Sequence, residues 1–176
     1  MMTRTHAMTA ITVWLAGDIL TRVSDSGHPY AVTLAGAAIA WGSAIVPDID
    51  TPDSRLGRRL PRLSSAISAV CGGHRGATHW AVTALMIGAV TGLLAWYLDP
   101  SLWWVGLAVT TGWGVHLAGD CCTYRGVPLW GPVSRAPVRL PYGWRIASSG
   151  RGEHRVYVVA RVLAMVLWVL SSAYAI

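Results

Sequence analysis

The sequence predicts an all-α integral membrane protein with about five transmembrane or membrane-embedded helices and two long cytoplasmic loops. Three observations carry that prediction. Only 12% of the residues are charged and the mean hydropathy is +0.46, about half the charge of a soluble domain. Tryptophan is abundant at 10 residues while phenylalanine is absent, and tryptophan favours membrane–water interfaces. Uncharged runs of helical length alternate with arginine-rich polar stretches. The 176 residues suffice for one domain over residues 1–176.

Residues 7–23 form the first candidate helix. Its uncharged part, Ala7 to Gly17, is too short to span a bilayer alone. Asp18 and Arg22 are four apart and can pair on one helical face. Arg4 before an apolar stretch resembles a signal peptide only loosely. No small-x-small cleavage site follows and Asp18 interrupts the run, so the segment reads as a retained helix. Residues 24–29 read as a turn. Residues 30–46 are uncharged and rich in alanine and glycine, which suits close helix packing in a membrane, and Pro47 ends the run. Residues 47–78 form the first polar loop, with a short amphipathic surface helix expected around residues 56–70. Residues 80–98 are uncharged and long enough to span, and Asp99-Pro100-Ser101 makes a tight turn. Residues 102–118 are apolar apart from His116. Residues 119–155 form the second polar loop, and residues 156–176 form the last helix.

All 14 basic residues are arginine and the formal net charge is +6. Nearly all the arginines sit in the two long loops, and none in the 99–101 turn. The positive-inside rule therefore places both loops in the cytoplasm, with the N-terminus inside and the C-terminus outside. The basic balance favours anionic partners, most simply membrane lipid. No nucleic-acid-binding motif accompanies it, so no direct nucleic-acid binding is expected. Cys71, Cys121 and Cys122 make no disulfide framework, and adjacent Cys121 and Cys122 are poorly placed to bond each other. All three are expected to be reduced and cytosol-facing.

This topology gathers the polar residues at one face. His6 starts helix one, and Asp48 and Asp50 follow helix two. His74 and His79 precede helix three, and His116 and Asp120 end helix four. Glu153 and His154 precede helix five. Only His28 among the six histidines falls on the other face. His116 and Asp120 are four apart and share a helical face. Asp48 and Asp50 point the same way if the segment after Pro47 is extended. His74 and His79 are five apart, so His74 sits in the loop and His79 opens the helix, with Thr78 as its N-cap. Mixed histidine and carboxylate ligands suit zinc or manganese at a water-activating site, with zinc favoured. The candidates exceed one tetrahedral set, so one or two ions fit, and a pair can clamp a phosphoester. Intramembrane His116 adds weight, because ionisable groups in apolar segments are costly and tend to be functional.

These residues resemble the YdjM-type membrane-bound metal-dependent hydrolases, also described as LexA-regulated inner-membrane hydrolases. The resemblance begins at His6. It continues through Pro47-Asp48-Ile49-Asp50, Pro52, Ser54, Gly57 and Arg59. It includes His74-Arg75-Gly76-Ala77-Thr78-His79, then His116-x-x-x-Asp120, Thr123, Gly126, Val127 and Pro128, and ends at Glu153. The chain departs from the family at Thr51, where histidine is frequent, and at Trp80, where serine is frequent. The resemblance implies a metal-dependent hydrolase at a bacterial-type inner membrane, with a link to LexA. By ligand pattern the set also looks like the helical zinc phospholipase C and nuclease class.

The expected reaction is hydrolysis of a phosphoester or related ester in an amphiphilic, lipid-like substrate. The expected metal ligands are His6, Asp48, Asp50, His74, His79, His116 and Asp120. Asp50 or Glu153 takes the proton of the attacking water, and Arg75, with Arg59, steadies the anionic substrate. The alternative is a non-catalytic membrane protein whose structural metal ties two loops together and whose basic loops recruit a partner. A transporter or channel fits less well, because the polar residues cluster at one face instead of lining a path.

Overall fold

The computed structural model describes residues 3–23 and 29–173. Among the described residues there are six α-helices: α1 (Thr3–Val23), α2 (Tyr30–Ser43), α3 (Pro61–Cys71), α4 (Ala81–Leu98), α5 (Trp104–Cys121) and α6 (Arg151–Ala173). Among the described residues there is no strand, only two isolated bridges, Thr123–Ile146 and Val127–Val138. α5 is the centre of the bundle and packs on α1, α2 and α4, while α1 also packs on α2 and α6. Small residues allow those close crossings. A methyl group at Gly106 of α5 would lie 2.5 Å from the Gly88 carbonyl of α4, and one at Gly112 would lie 2.2 Å from the Ala40 carbonyl of α2.

Three helical segments among the described residues are long and apolar enough to cross a membrane: Tyr30–Asp50, Ala81–Leu98 and Arg151–Ala173. α1 and α5 are not among them. α1 is one continuous helix of 21 residues, but it carries Arg4, Asp18 and Arg22. α5 carries His116 and Asp120. Asp18 is buried and accepts from Thr33 Oγ1 at 2.9 Å and Ser171 Oγ at 3.4 Å. The expected Asp18–Arg22 pairing involves an Arg22 side chain outside the described residues, and His28 also lies outside them.

Several local expectations are corrected. The segment after Pro47 is not extended. Val46–Asp50 is a 3-10 helix, so Asp48 and Asp50 diverge instead of pointing the same way. Thr78 is not a cap. Ala77–His79 is a separate 3-10 turn, and Trp80 precedes α4 without a side-chain capping bond. The surface helix starts at Pro61, which fits the first turn because its missing N–H has no helical partner there. It stops at Gly72, whose φ of 81° is the left-handed C-cap conformation. α6 starts at Arg151, ahead of the expected residue 156, and takes Glu153 and His154 into its first turn. At the 99–101 turn, Ser101 N–H donates to Asp99 Oδ1 at 2.8 Å and holds that carboxyl below its usual range.

Candidate metal centre

The ends of four elements meet around His79. α1 brings His6, the Val46–Asp50 turn brings Asp48 and Asp50, and α5 brings His116 and Asp120. The 74–79 loop brings His74, Arg75 and Thr78. His6, Asp50, His79, His116 and Asp120 are all buried, with exposures of 0–2%. Asp48 is 16% exposed and His74 37%, so the cluster opens on their side.

The imidazoles are oriented by backbone and side-chain partners. His116 Nδ1 lies 2.8 Å from the Ala44 carbonyl and donates to it. That commits the proton to Nδ1 and leaves Nε2 with its lone pair. His79 Nδ1 lies 2.9 Å from Thr78 Oγ1 and 3.3 Å from Asp50 Oδ2. Its proton is likewise held on that side, and His79 Nε2 faces the cluster. The two Nε2 atoms are 3.3 Å apart. His6 stacks on His116 with ring centroids 4.0 Å apart, and its Nε2 lies 3.3 Å from Asp120 Oδ1. Among the described residues His6 Nδ1 has no hydrogen-bond partner and Nε2 has only that Asp120 contact, though both are buried. Orphaned buried imidazole nitrogens are costly as they stand and are ready metal ligands.

Among the described residues three sets of donor atoms each lie within 4.8 Å of one another: His6/His116/Asp120, Asp48/His79/His116, and Asp50/His74/His79. The donor chemistry therefore fits a divalent ion. Within the cluster Asp48 and Asp50 take different sides of His79. Asp48 Oδ1 lies 3.5 Å from His116 Nε2 and 3.9 Å from His79 Nε2. Asp50 sits behind the ring. It accepts from Thr78 Oγ1 at 2.5 Å, Arg75 N–H at 3.1 Å and Thr51 Oγ1 at 3.0 Å, and His74 Nδ1 is 3.0 Å away. Thr51 also places its hydroxyl 2.6 Å from His74 Nδ1.

Arg75 lies inside the cluster with its charge committed. Its Nη2 is 2.9 Å from Asp120 Oδ2, and its Nη1 donates to the Gly126 carbonyl. Its backbone has φ 62°, a strained left-handed geometry for a residue with a side chain. Arg59 is exposed. Glu153 does not join any of the three ligand sets. It is buried at the start of α6 and accepts from Thr5 Oγ1 at 3.0 Å and Ser149 N–H at 2.5 Å. Thr5 adjoins His6, so Glu153 braces that end of α1. His154 is exposed and sits beside Tyr157. The cysteines are free thiols. Burial, and then the nearby Asp120 carboxylate, push the Cys122 thiol up, which keeps it protonated and a poor ligand.

Sequence reasoning missed Thr78 as an Asp50 partner, the Ala44 carbonyl and the Gly126 carbonyl. Only Thr78 had a side-chain signal, a hydroxyl directly before a candidate ligand. Carbonyl roles leave no mark on residue type.

The model of the YdjM inner membrane protein family matches residues 1–176. The chain belongs to the YdjM family. It is 36% identical over 108 residues to the inner membrane protein YdjM of Escherichia coli (strain K12), covering 56% of this chain and 52% of that one. The Shigella flexneri protein of the same name matches equally. The Bacillus subtilis (strain 168) protein YvsG is 34% identical over 113 residues, covering 64% of each chain. The chain thus spans about half the length of the YdjM proteins it matches. No solved structure matches. Family and apolar helices agree on a membrane protein whose histidine and aspartate clusters could hold a metal ion.

Proposed function

We propose that this YdjM-family protein is a metal-dependent hydrolase of the inner membrane, acting on a phosphoester or related ester of an amphiphilic, lipid-like substrate. The observation that carries the proposal is the pair of facing Nε2 atoms, 3.3 Å apart, each with its other ring nitrogen held as a donor. Two lone pairs turned on each other repel unless a cation sits with them. His6, His79, His116 and Asp120 are the holding groups, and the imidazole-rich set favours zinc over manganese. One ion is the simplest count, because the Asp48 set draws on the same two Nε2 lone pairs and the Asp50 set lies on the protonated Nδ1 side of His79. When bound, such an ion acts as a Lewis acid on a phosphoryl or carbonyl oxygen and makes a water molecule more acidic.

The residues divide the remaining work. Asp50 and Glu153, the carboxylates expected to take the proton, are each enclosed by donors. Asp48 is the carboxylate on the open side, and it receives the proton of the attacking water. Asp50 orients His79 through its Nδ1 side. Arg75 keeps Asp120 in place and directs positive charge into the site. The open side is the observation that favours catalysis over a structural metal, since structural sites are closed. On this reading the site lies on the cytoplasmic face and the fold crosses the membrane in several passes, supported by the bias of arginine toward the two long loops.

The test is purification of the full chain in detergent, bound-metal analysis, zinc reconstitution, and a screen of phospholipids and lipid phosphates. Wild type should hold metal and turn over a member of that class, while His116→Ala and Asp120→Asn should do neither. Absence of metal after reconstitution sinks the proposal. Metal without turnover of any of them supports the alternative, a structural site in a protein that recruits a partner through its basic loops.

A further inference from the structure

The loop between α5 and α6 carries four arginines (Arg125, Arg135, Arg139 and Arg145), with Arg151 opening α6, and no acid lies between Asp120 and Glu153. It is well tied down. Leu140 N–H donates to the Cys121 carbonyl at 3.0 Å, Ile146 N–H donates to the Cys122 carbonyl at 2.8 Å, and Val127 pairs with Val138. On this fixed loop one contiguous patch combines guanidinium and aromatic groups. The Tyr124 and Tyr142 rings meet edge to face at 5.8 Å. Arg145 lies over the Tyr142 ring at 5.7 Å, and its Nε donates to the Leu140 carbonyl at 2.7 Å. Arg139 Nη1 donates to the Tyr124 carbonyl at 3.3 Å. Tyr142 is 73% exposed and neighbouring Trp144 is 76% exposed.

We infer that this patch, Tyr124, Arg139, Leu140, Tyr142, Trp144 and Arg145, docks on an anionic membrane surface. Exposed tyrosine and tryptophan settle at headgroup depth, and arginine beside them gains from anionic lipid. Nucleic acid would also attract arginine, but it needs open aromatic faces for base stacking. Here Arg145 lies over one face of the Tyr142 ring and Tyr124 packs against it edge to face, which leaves Trp144 as the one largely open ring of the patch. The exposed apolar Leu140, and Val133 on the same loop, also gain nothing from a polar backbone. The patch matters to the centre because its loop supplies the Gly126 carbonyl that holds Arg75. The inference stands without the hydrolase reading.

The experiment uses the full chain in lipid nanodiscs of phosphatidylglycerol or phosphatidylcholine, with brominated acyl chains as fluorescence quenchers. The Trp144 contribution is isolated as the difference between wild type and Trp144→Phe. In phosphatidylglycerol discs Trp144 should be quenched by brominated lipid and shielded from acrylamide. Arg139→Gln with Arg145→Gln should lower the docked-to-undocked ratio about 30-fold, from roughly one kcal/mol per arginine. Phosphatidylcholine discs should lower it similarly, which keeps the test valid if the double variant misfolds. The inference is overturned if Trp144 stays open to acrylamide in anionic discs. Equal quenching in both lipids, or shielding that appears only on adding a single-stranded oligonucleotide, overturns it too. The readout requires neither metal nor turnover, so its failure leaves the hydrolase proposal standing, and the reverse holds.

Discussion

Asp50→Asn separates a residue that holds the metal from one that orients a ligand. The Asp50 carboxylate is fully buried and takes donors from Thr78, Arg75 N–H and Thr51, with His74 Nδ1 at 3.0 Å and His79 Nδ1 at 3.3 Å. Asparagine keeps the shape but replaces one acceptor oxygen with a donor. On the Oδ2 side the new amide would meet the Arg75 N–H, a fixed donor, while on the Oδ1 side it would force Thr51 Oγ1 and His74 Nδ1 to accept instead of donate. Losing one hydrogen bond to a charged acceptor costs about 1.5–3 kcal/mol of stability. The zinc effect is separate. Loss of an outer partner of a ligating histidine typically lowers metal affinity about 10–100-fold, roughly 1.4–2.8 kcal/mol. Competitive titration with a zinc chelator, alongside circular dichroism to confirm folding, reads that shift. The comparison is His116→Ala, which removes a direct ligand and should leave no measurable site. If folded Asp50→Asn binds zinc as poorly as His116→Ala, Asp50 is a ligand and the orienting role is wrong. If its affinity equals wild type, His79 is not oriented through Asp50.

Gly112→Ala should cost about 1–3 kcal/mol by overpacking, because its methyl would sit 2.2 Å from the Ala40 carbonyl. Gly112 is one turn from His116, so zinc content should fall with the melting temperature. Thr5→Val should cost about 1 kcal/mol by removing the hydrogen bond to buried Glu153. It should also weaken zinc binding through His6, and Thr5→Ser should restore both, read by melting and chelator competition. Cys122 should resist alkylation at neutral pH and react only above the ordinary thiol range, since its folded-state pKa is raised. The same sign means its contribution to stability is present below the ordinary thiol pKa and is lost as pH rises through the raised one. Cys122→Ser should keep its zinc, and loss of zinc would make the thiol a ligand.

The helices were legible because apolar runs bounded by proline, glycine and arginine leave few alternatives, and the meeting of His6, His79, His116 and Asp120 followed from where those runs end. The short 3-10 turns were not legible. Pro47-Asp48-Ile49-Asp50 suits an extended segment or a tight helix equally by composition. The choice came from packing of Pro47, Ile49 and Asp50 into the interior. Asp48 and Asp50 therefore face different sides of His79, and their roles separate. The start of α6 was hidden by Arg151-Gly152, which carry no helix-start signal. Its early beginning is what seats Glu153 against Thr5. His6 stacking on His116 joins residues 110 positions apart, and no local periodicity encodes that contact.

The last carbonyls of a helix have no helical partner, and this centre uses one of them, together with backbone groups of the adjoining loops, as its supports. The Ala44 carbonyl at the end of α2 takes the His116 Nδ1 proton. The Thr78 carbonyl in the turn before α4 takes Trp113 Nε1–H at 2.9 Å. Ser149 N–H, just ahead of α6, is satisfied by Glu153, and the Gly126 carbonyl just beyond α5 by Arg75. Satisfying backbone groups at and beside the helix ends and orienting the ligands are therefore one arrangement. That explains why polar residues converge where helices stop, although an apolar bundle would bury them at a cost anywhere else. It also explains why α5 can carry a buried imidazole and carboxylate one turn apart. His116 answers to α2, and Asp120 answers to α1 and to Arg75. The two share a helical face but serve different neighbours, so the spacing of four marks where three elements meet rather than a bidentate pair.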